Sequence, residues 1–169
     1  MTIEHIAVGG EEIDTLAERL RPGLRAIILG INPSPVSVLA GHYYQGRLGK
    51  LLWKRLVRQG ILRDLPVGKE DDAAFAQGFG FADLIRRPTS TSAELSRSEI
   101  AAAVPGLVER LRPYRNDDPL ILYVFKAAEQ ATASHLQAEG FRTCRLPGPY
   151  FAKREVNEVM ARIVRELRQ

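Results

Sequence analysis

The chain lacks most of what would announce a redox, secreted or membrane protein. It has one cysteine, Cys144, so no internal disulfide can form, and its three histidines, His5, His42 and His135, show no metal-ligand spacing. No apolar run approaches the roughly 18 residues that a membrane span requires. Met1-Thr2-Ile3-Glu4-His5 has neither the basic start nor the apolar core of a signal peptide, from which a reducing, cytoplasmic location is expected. The glycine-rich fingerprints of nucleotide cofactors are missing, as are repeats and low-complexity tracts. The expectation is a protein without metal, cofactor or membrane partner.

What is present is an ordinary soluble composition, 45% hydrophobic and 26% charged, in 169 residues, the length of one domain spanning 1–169. The formal charge is +4, and the basic residues are uneven. Arg47, Lys50, Lys54, Arg55 and Arg58 form one group, Arg86 and Arg87 another, and Arg142, Arg145, Lys153 and Arg154 a third. On one face they would steer a polyanion; taken singly they are also the solvated faces of helices.

Helical and strand patterns alternate. Ile13, Leu16, Ala17 and Leu20 fall at helical spacing, and the spacing predicts a helix there, ended by Arg21-Pro22-Gly23. A strand is expected over 24–29, a helix over 48–59 with Trp53 in the core, a surface loop over 66–72 and a short apolar segment over 79–85. Ser96-Arg97-Ser98-Glu99 fits a capping box opening a helix that continues past Pro105, which can kink it. Strands over 120–125 and 141–146, a helix over 127–139 between them and a final helix with Val156, Val159, Met160, Ile163 and Leu167 complete the pattern. Such alternation predicts a parallel sheet covered on both faces.

Within that pattern Gly30-Ile31-Asn32-Pro33 closes the first apolar strand, where open α/β folds bind ligands. A second loop, Pro147-Gly148-Pro149-Tyr150-Phe151, leaves the last strand toward the same edge. Read alone, Asn32-Pro33 is also a plain turn, His42 a loop histidine satisfied by backbone, and Pro147-Gly148-Pro149 an ordinary turn.

In combination these residues carry a resemblance. Pro22-Gly23-Leu24-Arg25 through Gly30-Ile31-Asn32-Pro33, then Gly41-His42-Tyr43-Tyr44-Gln45-Gly46 and Trp53-Lys54, resembles the first motif of the mismatch-specific uracil and thymine DNA glycosylases. Gly80-Phe81-Ala82-Asp83-Leu84-Ile85-Arg86-Arg87-Pro88-Thr89, followed by Glu94-Leu95-Ser96-Arg97-Ser98-Glu99, resembles that family's next segment, and Lys126 stands where the family has a strand ending in Gly-Lys. The resemblance implies a three-layer α/β/α sandwich around a mainly parallel sheet of about four strands.

It also implies a chemistry. Such enzymes flip a nucleotide from the duplex and hold its base while the N-glycosidic bond breaks, leaving negative charge on the base. Carried over, the pattern gives Asn32 the role of holding the attacking water, which an amide can orient through its carbonyl but cannot deprotonate. His42 is a second catalytic candidate, toward the same water or a phosphate. Tyr44 is the candidate stacking platform, and the backbone N–H groups of Ile31 and Tyr44 can face the base anion. Asp83 stands where the family usually has an amide or amine. As a carboxylate it can accept from N3–H of uracil, help activate water, or simply cap or pair with Arg86 or Arg87.

The chain also departs from the pattern. Ser34-Pro35 replaces a glycine, stiffening the loop and adding a hydroxyl; Gly49 stands where asparagine is common, with one residue inserted before Trp53; and Tyr150-Phe151 replaces the usual wedge. An aromatic wedge from Tyr150 or Phe151 is physically reasonable, with Lys153 and Arg154 contacting the DNA backbone. The expected activity is monofunctional removal of uracil from double-stranded DNA by a monomer, since no lysine is placed as a Schiff-base nucleophile. The competing readings are a non-catalytic nucleic-acid-binding module, a glycosylase for another damaged base, or a hydrolase of free nucleosides.

Overall fold

The computed structural model describes residues 3–148 and 152–169. The segment expected to open with a helix opens instead with an antiparallel hairpin, β1 (Ile3–Val8) and β2 (Glu11–Leu16). Gly9 and Gly10 between them both have positive φ, 61° and 87°, which is what a two-residue hairpin turn with the right twist needs. Ile6 pairs with Ile13 across the ladder, and Thr15 and Leu16 are buried. The spacing of Ile13, Leu16 and Leu20 imitates a helix, but the Gly-Gly step decides the local geometry.

The remaining strands, β3 (Ala26–Gly30), β4 (Phe79–Asp83), β5 (Leu120–Tyr123) and β6 (Thr143–Arg145), form one parallel sheet in the order β4-β3-β5-β6. Each is shorter than or offset from its sequence expectation, because flanking apolar residues continue into loops. Helices α1 (Pro35–Ala40), α2 (Arg47–Arg58), α3 (Glu70–Ala76), α4 (Arg97–Leu111), α5 (Lys126–Ala138) and α6 (Lys153–Leu167) connect and cover it. Two of them, α1 and α3, fall where loops are expected: Pro35 occupies the first turn of α1, and three acidic residues open α3.

Alternation along the strands sorts the core into two layers. Ile28, Phe79, Phe81, Leu120 and Leu122 pack with Leu52, Trp53, Leu56, Met160 and Ile163 from α2 and α6. Ile27, Leu29, Ile121 and Tyr123 pack on the opposite side with Leu107 and Leu111 of α4 and Leu136 of α5. This is the expected three-layer α/β/α sandwich. Ser96 caps α4 by accepting from Glu99 N–H at 3.1 Å, but the Glu99 carboxylate turns to Arg87, so the capping box is only half formed.

Connections from β3 and β5 leave toward opposite edges of the sheet. The carboxyl ends of these neighbours therefore flank a topological switch point, where such sheets hold ligands.

Candidate active site

Pairing between β3 and β4 does not stop at the sheet edge. Leu84 N–H donates to Gly30 C=O at 3.0 Å, Ile85 N–H to Ile31 C=O at 2.8 Å and Thr89 N–H to Pro33 C=O at 3.2 Å. The two motif loops are thus zipped together, and Asn32 lies in the seam. Its Nδ2 donates to Arg87 C=O at 2.9 Å and to Thr89 Oγ1 at 2.7 Å. Thr89 Oγ1 in turn donates to Thr91 C=O at 2.7 Å, so both partners of the amide nitrogen are acceptors. That fixes which end of the amide is which, and leaves Oδ1 without a protein partner among the described residues.

Asn32 lines a cleft of about 450 Å³ together with Ile31, Ser34, Tyr44 and Asp83. Asp83 ends β4 directly opposite Gly30. A Cβ at Gly30 would collide with Asp83 Oδ1 and come within 3.1 Å of the Tyr44 hydroxyl. The missing side chain is therefore what lets a carboxyl and a phenol occupy the strand end. Burial, reinforced by the Glu18 carboxylate, pushes the Asp83 pKa up to about 7, against the opposing pull of Arg86 and Arg110. Neither arginine bonds to its carboxylate: Arg86 reaches Glu4 and Leu16 C=O, while Arg110 bonds to Glu18 and to the Asp83 backbone carbonyl. Arg87 holds Glu99 through two bonds of 2.9 Å. Pairing with Arg86 or Arg87 is thus not what Asp83 is for.

Tyr44 carries the strain of the site. Its φ is 56°, in the left-handed region that costs a β-carbon residue about 1 kcal/mol or more. Trp53 Nε1 donates to its carbonyl at 3.2 Å, and a Cβ on Gly49 would overlap that same carbonyl, so α2 presses its backbone against Tyr44. The Tyr44 hydroxyl is buried and has no hydrogen-bond partner among the described residues. Burial and the neighbouring Asp83 push its pKa well above the ordinary value.

The other expected residues divide. Ile31 and Ser34 line the cleft, but the Ser34 hydroxyl caps α1 by accepting from Ser37 N–H at 3.3 Å. His42 is not among the lining residues. Its Nδ1 lies 2.8 Å from Oδ1 of the buried Asp71, whose other oxygen accepts from Tyr43 N–H at 2.9 Å, so the geometry makes it a support of the Tyr43-Tyr44 loop rather than a holder of water. His42, Asp71 and Asp72 lie close enough to suggest a cation site, yet Arg19 already bonds to Asp72 and faces Asp71. Tyr150 and Phe151 lie outside the described residues. Lys153 and Arg154 are exposed at the start of α6, away from the cleft lining, with Arg154 paired to Glu158.

The basic groups separate similarly. Arg86, Arg87, Arg142 and Arg145 are engaged by carboxylates within the fold, and Arg55 donates to the carbonyls of Pro147 and Gly148. Arg47, Lys50, Lys54 and Arg58 stay exposed on α2 and make no ion pair among the described residues, with Arg47 at the cleft. Sequence reasoning missed Thr89, Leu16, Leu48 and Phe125 as lining residues. Thr89 was legible as a short polar side chain after the Arg86-Arg87-Pro88 turn; Leu16 was concealed by the mistaken helix.

The model of the Uracil DNA glycosylase superfamily matches residues 18–165. A G/U mismatch-specific uracil DNA glycosylase of Schizosaccharomyces pombe is 31% identical over 101 residues, 53% of this chain and 28% of that protein. The chain thus corresponds to little more than a quarter of the length of that relative. The solution NMR structure of a Methanosarcina acetivorans protein carrying the uracil DNA glycosylase name superposes with a TM-score of 0.60, at 24% identity, over 89% of this chain and 94% of the other. The likeness to that structure concerns the fold.

Two outcomes follow from the packing at Tyr44 and Asp83. Gly→Ala within a helix ordinarily stabilises by about 1 kcal/mol; Gly49→Ala is expected to do the opposite and lower the melting temperature, because the new methyl meets the Tyr44 carbonyl. For Asp83, the folded-state pKa of about 7 exceeds the ordinary 3.8, so the stability it contributes is present below pH 4 and lost as pH rises through 7. Asp83→Asn should therefore melt with the wild type near pH 4 and several degrees above it at pH 8, as followed by calorimetry.

Proposed function

We propose, from the premise that this chain belongs to the uracil DNA glycosylase superfamily, that it is a monofunctional glycosylase that flips uracil out of double-stranded DNA and hydrolyses the N-glycosidic bond, leaving an abasic site. The observation that carries this reading is the clamped Asn32 amide, which lines a cleft with the buried Asp83 and whose Oδ1 has no partner among the described residues. The Oδ1 accepts a hydrogen bond from water and aims its lone pair at the anomeric carbon. It takes no proton, so bond breaking runs ahead of water attack, the proton released as water adds to the sugar cation passes to solvent, and most of the catalysis must act on the departing base.

Asp83 supplies that part. In its neutral form it donates O–H to the uracil O4 and accepts N3–H on the other oxygen, a two-point match to the imide edge. The donated bond strengthens as negative charge grows on the base. Tyr44, held rigid against α2, gives the ring a face to rest on. The exposed cations of α2 beside the cleft meet the phosphates, and salt should weaken binding steeply. The matched G/U mismatch-specific relative supports uracil as the base and a mismatch as its context.

The test is a duplex oligonucleotide with one uracil opposite guanine or adenine, incubated with protein and then treated with alkali. Strand breaks appearing only after alkali are expected; breaks without alkali would show lyase chemistry, and binding without any breaks would leave a nucleic-acid-binding module. Asn32→Ala should lower the single-turnover rate by at least about tenfold, the low end for one positioning group, with DNA affinity nearly unchanged. The wild-type rate should fall as pH rises through about 7, where Asp83 ionises and repels O4, while Asp83→Asn should lose that descending limb.

A further inference from the structure

Residues 1–18 hold five carboxylates, Glu4, Glu11, Glu12, Asp14 and Glu18, and no lysine or arginine. Two of these acids act at the strand end that carries Asp83. Strand β4 lies at the edge of the sheet, and at Phe81 its outer side is closed by Arg19, through two backbone hydrogen bonds of 2.9 and 3.0 Å. Two residues further on, the Asp83 carbonyl faces that same outer side and, being buried, needs a donor. Arg110, in the last turn of α4, supplies it: Nη2 reaches the carbonyl at 2.8 Å, while Nε donates to Glu18 at 2.6 Å. Arg86, just beyond the strand, is held by Glu4 at 2.5 Å.

A neutral donor would satisfy that carbonyl equally well, whereas a guanidinium sets a full positive charge near a buried carboxyl. An opposite charge at close range favours the ionised form of an acid and lowers its pKa by about 1–3 units. Among the described residues, the charged groups that act on the Asp83 carboxyl are Glu18, Arg86 and Arg110. The phenols of Tyr43 and Tyr44 also face it, and both stay neutral because burial raises them well above the ordinary value. Each of the two arginines is bonded to one acid of the N-terminal segment, so neither acts on Asp83 as a free cation.

We propose that Glu18, and to a lesser degree Glu4, are positioning residues: they mask the charge of the arginines around Asp83, so that Arg110 anchors its backbone while its carboxyl keeps the proton it donates to the base. This rests on the uracil-excision reading above. Glu18 is the stronger of the two, because its side chain is 13% exposed against 46% for Glu4, and solvent screens the second pair more. The anchor and its mask come from different parts of the chain, α4 and the segment before β3, and meet at the free edge of β4.

Two measurements test this. Single-turnover release of uracil is followed on both sides of pH 7 in wild type, Glu18→Gln, Arg110→Gln and the double variant. The descending limb should move to lower pH by about one unit in Glu18→Gln, the smaller effect of one neighbouring charge, and to higher pH by about as much in Arg110→Gln. In the double variant, with both charges gone, it should return close to the wild-type position. Glu4→Gln should shift it in the direction of Glu18→Gln but less, and Glu18→Asp should keep it in place. Loss of packing alone lowers the rate at every pH alike and leaves the limb where it was. Independently of excision, the Asp83 carboxyl is titrated in the free proteins by carbon NMR on aspartate-labelled samples, with its resonance identified by its absence in Asp83→Asn. The same order of midpoints is expected. Midpoints that coincide in wild type, Glu18→Gln and Arg110→Gln overturn the mask. Midpoints that separate, while the wild type releases no uracil or its rate limb stays unmoved by the substitutions, overturn the part given to Asp83 in excision and leave the mask standing.

Discussion

Everything at the mouth of this sheet depends on one close approach: the carboxyl of Asp83, the hydroxyl of Tyr44 and the bare α-carbon of Gly30 share a space that a single methyl would fill. Taking an ionised carboxylate out of water without a cation beside it is costly, and the fold resolves the problem by shifting Asp83 toward its neutral form. The cations that would have paired with it are held elsewhere, Arg86 by Glu4, Arg87 by Glu99 and Arg110 by Glu18. A buried acid and a left-handed tyrosine whose phenol has no partner among the described residues sit within one loop-and-strand junction. Each destabilises the fold, and two packed layers of aliphatic and aromatic side chains offset them.

The Asn32 side of the site is built on the opposite principle, saturation of its donors. Asn32 has both amide hydrogens bonded, Thr89 passes its own proton on to Thr91, and three backbone bonds beyond the sheet hold the two loops in register. With so little freedom left, one carbonyl oxygen remains as the unfilled valence. In the proposed reaction, preorganisation of this kind compensates in part for a group that cannot act as a base.

Much of this was legible in the chain. Strands alternating with helices gave the three layers, and Gly30-Ile31-Asn32-Pro33 at a strand end placed the cleft, because strand ends in a parallel sheet share an edge. Asn32, Ile31, Tyr44 and Asp83 converge there as expected. What escaped has definite causes. The hairpin over residues 3–16 was hidden because Ile13, Leu16 and Leu20 satisfy a helical period by accident, while the Gly9-Gly10 turn outranks it. His42 follows the motif yet points its Nδ1 at Asp71, a partner 29 residues away that no local pattern reveals. Phe125 reads as the end of an apolar strand, and nothing in its neighbours distinguishes a core residue from one left at a cavity wall.

In the proposed reaction the two carboxyl-end loops divide the labour by a chemical logic. An amide that only orients water contributes nothing to proton removal, so a reaction relying on it must let the base depart first and stabilise the charge it carries away. A carboxyl kept neutral by burial is suited to that task, being able to donate to an oxygen as its charge develops. A fully solvated aspartate would be ionised near neutral pH and would oppose the same departure. Asp83 suits that part because the bare α-carbon of Gly30 leaves it room and burial, reinforced by Glu18, raises its pKa to about 7, so that a substantial share stays protonated near neutral pH.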